Sequence, residues 1–404
     1  MNKNLIALAV STAFALPALA DVAVGPLAIY GTAASAFENI TISSPTAIVD
    51  QSKITQNRLM DQTSKLGFKA SPDLGQGLKG LVQMESKLIL GNGGNNTQDS
   101  AELGSRNTFV GLSSTDYGTV RLGRYDNAYK LNTKLGAKFS YDNVNDASGE
   151  FGKDGQIMGR LNDRNADSIN YESPKLSGFT ILASYNLGKD SDNGLKAGAT
   201  SGAALAATST PPATLMPTAS AALAYATGPF TVSAAYQNIS NAAWELGASS
   251  ARSAKWNAAS GAGFTLTGTT LAGQYTFGEF SLGIVGEVIR SSLSGVSAAA
   301  NFDQAQTAYH LIGVYKTGPH EAHIRYAQAA EVSGTKGASS IFTGTDGKQF
   351  SLMYAYAFND MVKLVSSFTT VTNGAKASFT SASGFSMTQG ATMDQAAIGL
   401  TASF

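Results

Sequence analysis

Basic residues recur at strand-like spacing in this chain of 404 residues. Lys65 and Lys69 bracket the apolar sequence Leu-Gly-Phe, and Arg121 lies between a valine and a leucine. Successive side chains of a β-strand point to opposite faces, so these cations and their apolar neighbours would occupy different faces. A cation on the lipid face of a membrane sheet costs up to about 2–4 kcal/mol. The spacing therefore predicts that the cations face water, where they could attract and orient anions.

The positions of two further arginines depend on the same alternation. If Ile169 and Tyr171 face outwards, alternation extended back along the chain places Arg164 on the inner face. Arg106 has the same parity as Val110, so strict alternation turns Arg106 outwards. A β-bulge, or a position beyond the end of the strand, would be needed to bring it inside.

Acidic and basic residues share one long segment, residues 126–163, which is far longer than an ordinary connection. Its charged residues include Asp126, Lys130, Lys134, Lys138, Asp142, Asp146, Glu150, Lys153, Asp154 and Arg160. Composition alone leaves two alternatives open for this segment: a solvated surface loop, or a charged element that faces a channel.

Catalytic and metal-binding residue patterns are weak in this sequence. The chain has three histidines, His310, His320 and His323, and no cysteine. None of the histidines lies near a Gly-x-Ser-x-Gly sequence, which carries the nucleophile in many hydrolases. His320 and His323 form an isolated pair, without the further ligands of a metal site. The sequence therefore predicts no enzyme, no metal site and no cofactor.

The elements that would position the charged residues are alternating stretches of about ten residues, separated by turns. In residues 77–88, for example, Glu85 shares one face with lysines, while leucine and valine occupy the other. Long polar connections alternate with short ones, and the short ones are residues 70–77, 113–118, 172–178, 226–230, 277–280, 316–321 and 358–361. Seven short turns predict an all-β fold: a transmembrane antiparallel β-barrel of sixteen strands, with short periplasmic turns and long extracellular loops.

Composition agrees with a barrel and argues against a nucleic-acid partner. Lys+Arg and Asp+Glu are equal at 28 each, and charged residues make up 14% of the chain, against about 25% in average proteins. Residues 1–20 have a basic start, an apolar stretch and a small-x-small end, which is typical of a secretory signal peptide. Residues 21–404 would then form a single barrel domain.

Five stretches, in order, resemble the Gram-negative general porins, the trimeric sixteen-stranded kind found in Neisseria-type bacteria. They are LAIYGTAASAF, SKLGFKASPDLGQGLKGLVQMES, RNTFVGLSSTDYGTVRLGRYDNAY, RNADSINYESPKLSGFT and the terminal AIGLTASF. The chain departs from the family pattern at Lys65, where relatives often carry arginine, and at Asp167, where they carry asparagine.

The resemblance implies a bacterial outer-membrane channel in which residues 126–163 fold inwards as constriction loop 3. It places Lys65, Arg106 and Arg164 on a basic pore wall, to which the alternation of side chains along the strand adds Arg121. The acidic side would comprise Glu85, Asp142, Asp146 and Glu150. A homotrimer in contact with outer-membrane lipid and lipopolysaccharide follows from the same resemblance. Phe404 would be the residue read by the barrel-assembly machinery.

These observations predict passive diffusion of small hydrophilic solutes and ions, with a preference for anions. The alternative within the same fold is a substrate-selective channel with a defined solute site. A secreted β-sandwich adhesin would have far fewer strands in one domain. An active-transport receptor would carry a plug domain ahead of the barrel.

Overall fold

A computed structural model describes most of the chain. The described residues are 22–24, 27–44, 53–91, 103–136, 157–187, 217–240, 246, 263–295, 301–337, 342–381 and 387–404. The predicted signal peptide, residues 1–20, lies outside them. Within these ranges no helix has the length and apolar character that crossing a membrane requires.

The described chain consists of twenty strands and one helix. The first ten strands are β1 Val22–Val24, β2 Leu27–Ser43, β3 Lys53–Asp61, β4 Lys65–Ala70, β5 Asp73–Gly75, β6 Leu78–Lys87, β7 Thr108–Ser114, β8 Gly118–Asp126, β9 Arg164–Glu172 and β10 Phe179–Asn186. The others are β11 Thr218–Thr227, β12 Phe230–Ile239, β13 Gly263–Phe277, β14 Phe280–Ser294, β15 Phe302–Thr317, β16 His320–Ala329, β17 Ser333–Lys336, β18 Gly347–Ala357, β19 Val362–Asn373 and β20 Thr392–Ser403. Helix α1, Ala128–Gly136, lies between β8 and β9.

These strands form one closed antiparallel barrel with sixteen wall positions. β3 and β4 pair with successive parts of β2, and β16 and β17 pair with successive parts of β15, so each couple is one interrupted wall strand. β1 and β5 are short pieces on β2 and β6. β20 pairs with β2 from Thr32 to Ser43, which closes the sheet. The sixteen-stranded barrel predicted from the alternating pattern is confirmed.

The alternation of side chains also follows the prediction. Leu282 and Ile284 on β14 are 55% and 54% exposed, whereas Val285 is 4% exposed. The exposed face carries leucine, isoleucine, valine and aromatic residues along most strands. The buried face carries small, polar and charged residues as well as apolar ones. An apolar outer surface with a mixed interior is the pattern of a barrel that faces lipid outside.

Phe404 completes the closure of the barrel. Its backbone NH donates to Gly31 O at 3.0 Å, and the NH of Gly31 donates to Phe404 O at 2.8 Å. A side chain on Gly31 would collide with the Phe404 ring, so glycine is needed for this contact. The last residue is therefore held in the ladder between the first and last wall strands, which leaves no free sheet edge there.

Candidate functional site

Glu85, on the inner face of β6, is the centre of one charged cluster. Its Oε1 lies 2.7 Å from Arg106 Nε, and its Oε2 lies 3.8 Å from Lys65 Nζ. The Tyr30 hydroxyl donates to Oε2 at 3.1 Å. A carboxylate that is only 5% exposed requires cations and hydrogen-bond donors around it. Two predicted basic residues and one predicted acidic residue thus lie together.

Local backbone features bring Lys65 into this cluster. The wall strand is interrupted before β4, where Thr63 has a φ of 65°. Ser64 spans the interruption, because its hydroxyl accepts from Ala34 N at 2.9 Å and donates to Ala34 O at 3.0 Å. Lys65 then starts β4 in register with Lys87 on the neighbouring strand.

Arg106 lies inside the barrel, and strict alternation is the wrong guide to its direction. β7 begins at Thr108, so Arg106 precedes the strand and is not bound by its parity. Its backbone NH donates to Glu85 O at 2.9 Å. Of the two ways in which Arg106 could face inwards, a β-bulge or a position beyond the end of the strand, the structure has the second.

A second cluster surrounds Asp126 at the end of β8. Its Oδ1 lies 3.0 Å from both Arg164 Nε and Lys130 Nζ. The alternation argument for Arg164 does not hold, because the β8–β9 ladder shifts register between Gly123 and Tyr125. Arg164 is held instead by its contact with this buried carboxylate. Neither Asp126 nor Lys130 was predicted to be part of the basic wall, although both are visible in the sequence of the long segment.

Asn107 joins the two clusters. Its Oδ1 accepts from Arg164 Nε at 2.8 Å and from the Asp126 backbone NH at 3.1 Å, and its backbone adjoins Arg106. The combined group is called here the basic cluster; its charged members are Lys65, Glu85, Arg106, Asp126, Lys130 and Arg164. Among the described residues, the four cations and two carboxylates of this group have a formal net charge of +2.

Arg121 faces inwards as predicted but belongs to a separate group. Its Nη2 lies 2.9 Å from Glu172 Oε2. Its guanidinium carbon lies 4.8 Å from the ring centre of Tyr125 and 5.7 Å from that of Phe109. Because Glu172 neutralises it, Arg121 adds less net charge to the interior than the basic cluster does.

The described parts of the long segment, residues 126–136 and 157–163, lie against the inner wall. Helix α1 starts after Asn127, whose Oδ1 accepts from the Lys130 NH at 2.8 Å and so caps the helix. Asn127 also donates to Gln237 Oε1 at 2.8 Å. Asn132 donates to Thr270 Oγ1 at 2.9 Å. The sequence pattern did not predict a helix here, because nine residues show little periodicity.

Tyr129 and Glu287 anchor this segment to the wall. The tyrosine hydroxyl donates to Glu287 Oε1 at 2.8 Å, and Gly159 NH donates to Oε2 at 3.1 Å. Burial, with the adjacent Glu287 carboxylate, raises the pKa of Tyr129 well above its usual value. The phenol therefore remains a hydrogen-bond donor at physiological pH.

An apolar cluster completes the anchorage. Tyr129 and Leu161 of the segment pack with Leu266 on β13 and Ile289 on β14. Gly268 permits this approach, because a Cβ there would lie 2.8 Å from the Tyr129 hydroxyl oxygen. The segment is therefore held to one sector of the wall by both apolar and polar contacts.

The remaining residues named in the sequence analysis are the carboxylates of the long segment and the histidines. Asp142, Asp146 and Glu150 lie outside the described residues. His323 Nε2 lies 2.8 Å from Glu321 Oε1, within the wall. Within the described ranges, no group of three or more potential metal ligands occurs.

Comparison with known proteins identifies the family. The family model of Gram-negative porins matches residues 7–376. The chain belongs to the Gram-negative porin family. A relative, the major outer membrane protein P.IA of Neisseria meningitidis serogroup C, is 33% identical over 45% of this chain and 44% of its own length. The predicted location in the outer membrane is confirmed by the family and by such relatives. The chain spans about half the length of the curated relatives it matches.

Solved structures agree on the fold. The anion-selective porin from Comamonas acidovorans has a TM-score of 0.68 and 18% identity, over 94% of this chain and 99% of that one. The trimer form of OmpT, an outer membrane protein of Vibrio cholerae, has a TM-score of 0.61 and 16% identity, with the same two coverages. At these identities the likeness supports the porin barrel itself.

Proposed function

We propose that this porin forms a water-filled channel for passive diffusion of small hydrophilic solutes and ions, with a preference for anions. The observation that carries the proposal is the basic cluster on the inner face of β4–β9, with its net charge of +2. An excess of one sign of charge inside a low-dielectric wall raises the local concentration of the opposite ion. The similarity of the barrel to the Comamonas porin, which is anion-selective, agrees with this direction.

Residues 126–163 are proposed to act as the constriction loop. Their described parts contact the wall from β10 to β14, farther along the sheet than β4 and β6, which carry Lys65 and Glu85. Asp142, Asp146 and Glu150 are proposed to face the basic cluster from this loop. Opposed charges across a narrow aqueous path would orient dipolar solutes and disfavour apolar ones. Catalysis and a cofactor form no part of the proposal.

A homotrimer is the proposed assembly. Aromatic side chains form a belt on the outer face of β10–β15, with Phe179–Tyr225, Phe230–Tyr275 and Phe280–Tyr315 ring centres 4.5–4.7 Å apart. Such belts mark the interface between lipid and water. The large exposed side chains of the described β6–β8 strands are all aliphatic: Val82, Val110, Leu112, Val120 and Leu122. We assign this aliphatic face to contact with other copies of the chain, and the aromatic belt to lipid and lipopolysaccharide.

Phe404 is the proposed recognition residue for the barrel-assembly machinery. In the folded barrel the Phe404 ring lies over Gly31 and the Phe404 backbone is hydrogen-bonded to it. The assembly machinery would therefore bind Phe404 before the first and last wall strands pair. Deletion of Phe404 should reduce the amount of folded barrel in the outer membrane while leaving synthesis unchanged. Normal assembly of this variant would contradict the assignment.

Liposome swelling tests the channel directly. Purified protein in liposomes should admit small uncharged sugars at rates that fall with solute size, because a non-specific channel discriminates by width. A matched preparation with heat-denatured protein is the control. Saturable uptake of a single sugar would favour the substrate-selective alternative, and absence of swelling would exclude an open channel.

A further inference from the structure

The last long connection joins β19 to β20, and its described residues are 374–381 and 387–391. Asn373 links these two parts, because its Nδ2 donates to the carbonyl oxygens of Phe379 and Ala391, both at 2.9 Å. Its Oδ1 accepts from Phe379 NH at 2.6 Å. Further along, Ser381 donates to Gln395 Oε1 at 3.1 Å, beside the inner face of β20. The described part of this connection therefore lies along the inner wall.

The ring of Phe379 lies between two buried apolar clusters. One contains Ile157 and Met158 of the constriction loop, with wall residues of β13–β16. The other contains Ile40, Val371 and Met393 of β2, β19 and β20. A single side chain from the last connection thus packs simultaneously against the constriction loop and against the wall strands at the barrel closure.

Arg160 lies on the same ring. Its guanidinium carbon is 5.9 Å from the Phe379 ring centre, within the range of cation–π contacts. Arg160 directly follows Gly159, whose NH donates to the buried Glu287. The contact therefore connects the last connection to the limb of the long segment that Glu287 holds through Gly159.

We propose that Phe379 is a positioning residue for the constriction loop: its ring fixes residues 157–160, and thereby Arg160, against the inner wall. The inference rests on the proposed channel function. The constriction loop is held from two sides, by the wall through Glu287 and by the last connection through Phe379. Loss of the ring leaves the wall contacts intact but frees the limb 157–160 to move into the aqueous path or away from it.

The test compares substitutions at Phe379 with a matched phenylalanine elsewhere. Phe379→Leu removes the aromatic face and keeps apolar bulk, whereas Phe379→Tyr keeps the face. Phe368→Leu is the control, because Phe368 lies on β19 with 42% of its surface exposed on the outer face. Heat-modifiable electrophoretic migration shows that each variant is folded before single-channel recording.

Phe379→Leu should change the single-channel conductance by about twofold and increase open-channel noise, since conduction depends closely on pore dimensions and lining. Phe379→Tyr and Phe368→Leu should behave as the unsubstituted protein. Arg160→Gln should also change the conductance, and its effect should be smaller in the Phe379→Leu background, because the two residues share the cation–π contact.

Two results would overturn the proposal. One is a conductance and noise in Phe379→Leu equal to those of the unsubstituted protein. The other is additive effects of Phe379→Leu and Arg160→Gln, which would mean that the residues act independently. Failure of the channel function itself is distinguishable, because the unsubstituted protein would then show no conductance.

Discussion

At the residue scale, a few side chains set the net charge of the basic cluster. Replacing a cation lowers this charge, and replacing a carboxylate raises it. Glu85 and Asp126 each lie between two cations, and Asn107 links the pairs. Sequence alternation correctly identified Lys65 and Arg121 as inward-facing. It could not fix Arg106 or Arg164, since Arg106 precedes its strand and a register shift separates Arg164 from Ile169 and Tyr171.

Arg106→Gln should lower the preference for anions. The substitution reduces the net charge of the basic cluster from +2 to +1, because Glu85 keeps its contacts with Lys65 and Tyr30. Glu85→Gln should act in the opposite direction, since it raises the net charge to +3. Reversal potentials of the two variants, measured under the same salt gradient, check the sign of each change. Shifts of the same sign would contradict the assigned roles.

Tyr129→Phe should loosen the constriction loop without unfolding the barrel. The Glu287 carboxylate would retain the Gly159 NH but lose the phenol donor, and leaving a buried acceptor short of a partner costs about 1–3 kcal/mol. Hydrogen exchange should accelerate in residues 127–136. Tyr309→Phe is the control, because its hydroxyl contacts Gln328 on the exposed face. Equal protection in both variants would refute the anchor.

At the element scale, the alternation of side chains and the difference in connection length were sufficient to predict the wall. The period of two and the seven short turns gave the strand number, because these patterns are local. Helix α1 and the inward course of residues 374–381 could not be predicted in this way. The helix depends on contacts with distant wall strands, such as Asn127 with Gln237, and residues 374–381 depend on side-chain contacts such as Ser381 with Gln395, which no local period indicates.

Gly268→Ala should displace the constriction loop from β13. Its new methyl group would lie 2.8 Å from the Tyr129 hydroxyl oxygen, closer than packing allows. Gly273→Ala on the same strand is the matched control, since the nearest atoms to a Cβ there are 3.9 Å away. Single-channel recordings should show altered conductance and more noise in Gly268→Ala alone. An unchanged recording would mean that the loop is not held at this site.

At the scale of the whole molecule, the outer face carries aromatic pairs on β10–β15, whereas the large exposed side chains of the described β6–β8 strands are all aliphatic. Leu112→Trp on β7 should weaken the proposed trimer, because a larger side chain would clash at a contact between copies. Leu271→Trp on β13, where the leucine is 66% exposed, should be tolerated because tryptophan is accommodated by lipid. The mass of the protein complex in mild detergent gives the oligomeric state of each of the two variants. Equal loss of trimers, or none, would contradict the assignment of the aliphatic face.

We attribute the anion preference proposed for the channel to the basic cluster. The most direct measurement is the reversal potential of the purified protein in a planar bilayer under a KCl gradient. The net charge of +2 predicts a potential of the sign produced by preferential chloride flow. A reversal potential of the opposite sign would show that potassium is preferred, and that acidic groups elsewhere in the channel outweigh the basic cluster.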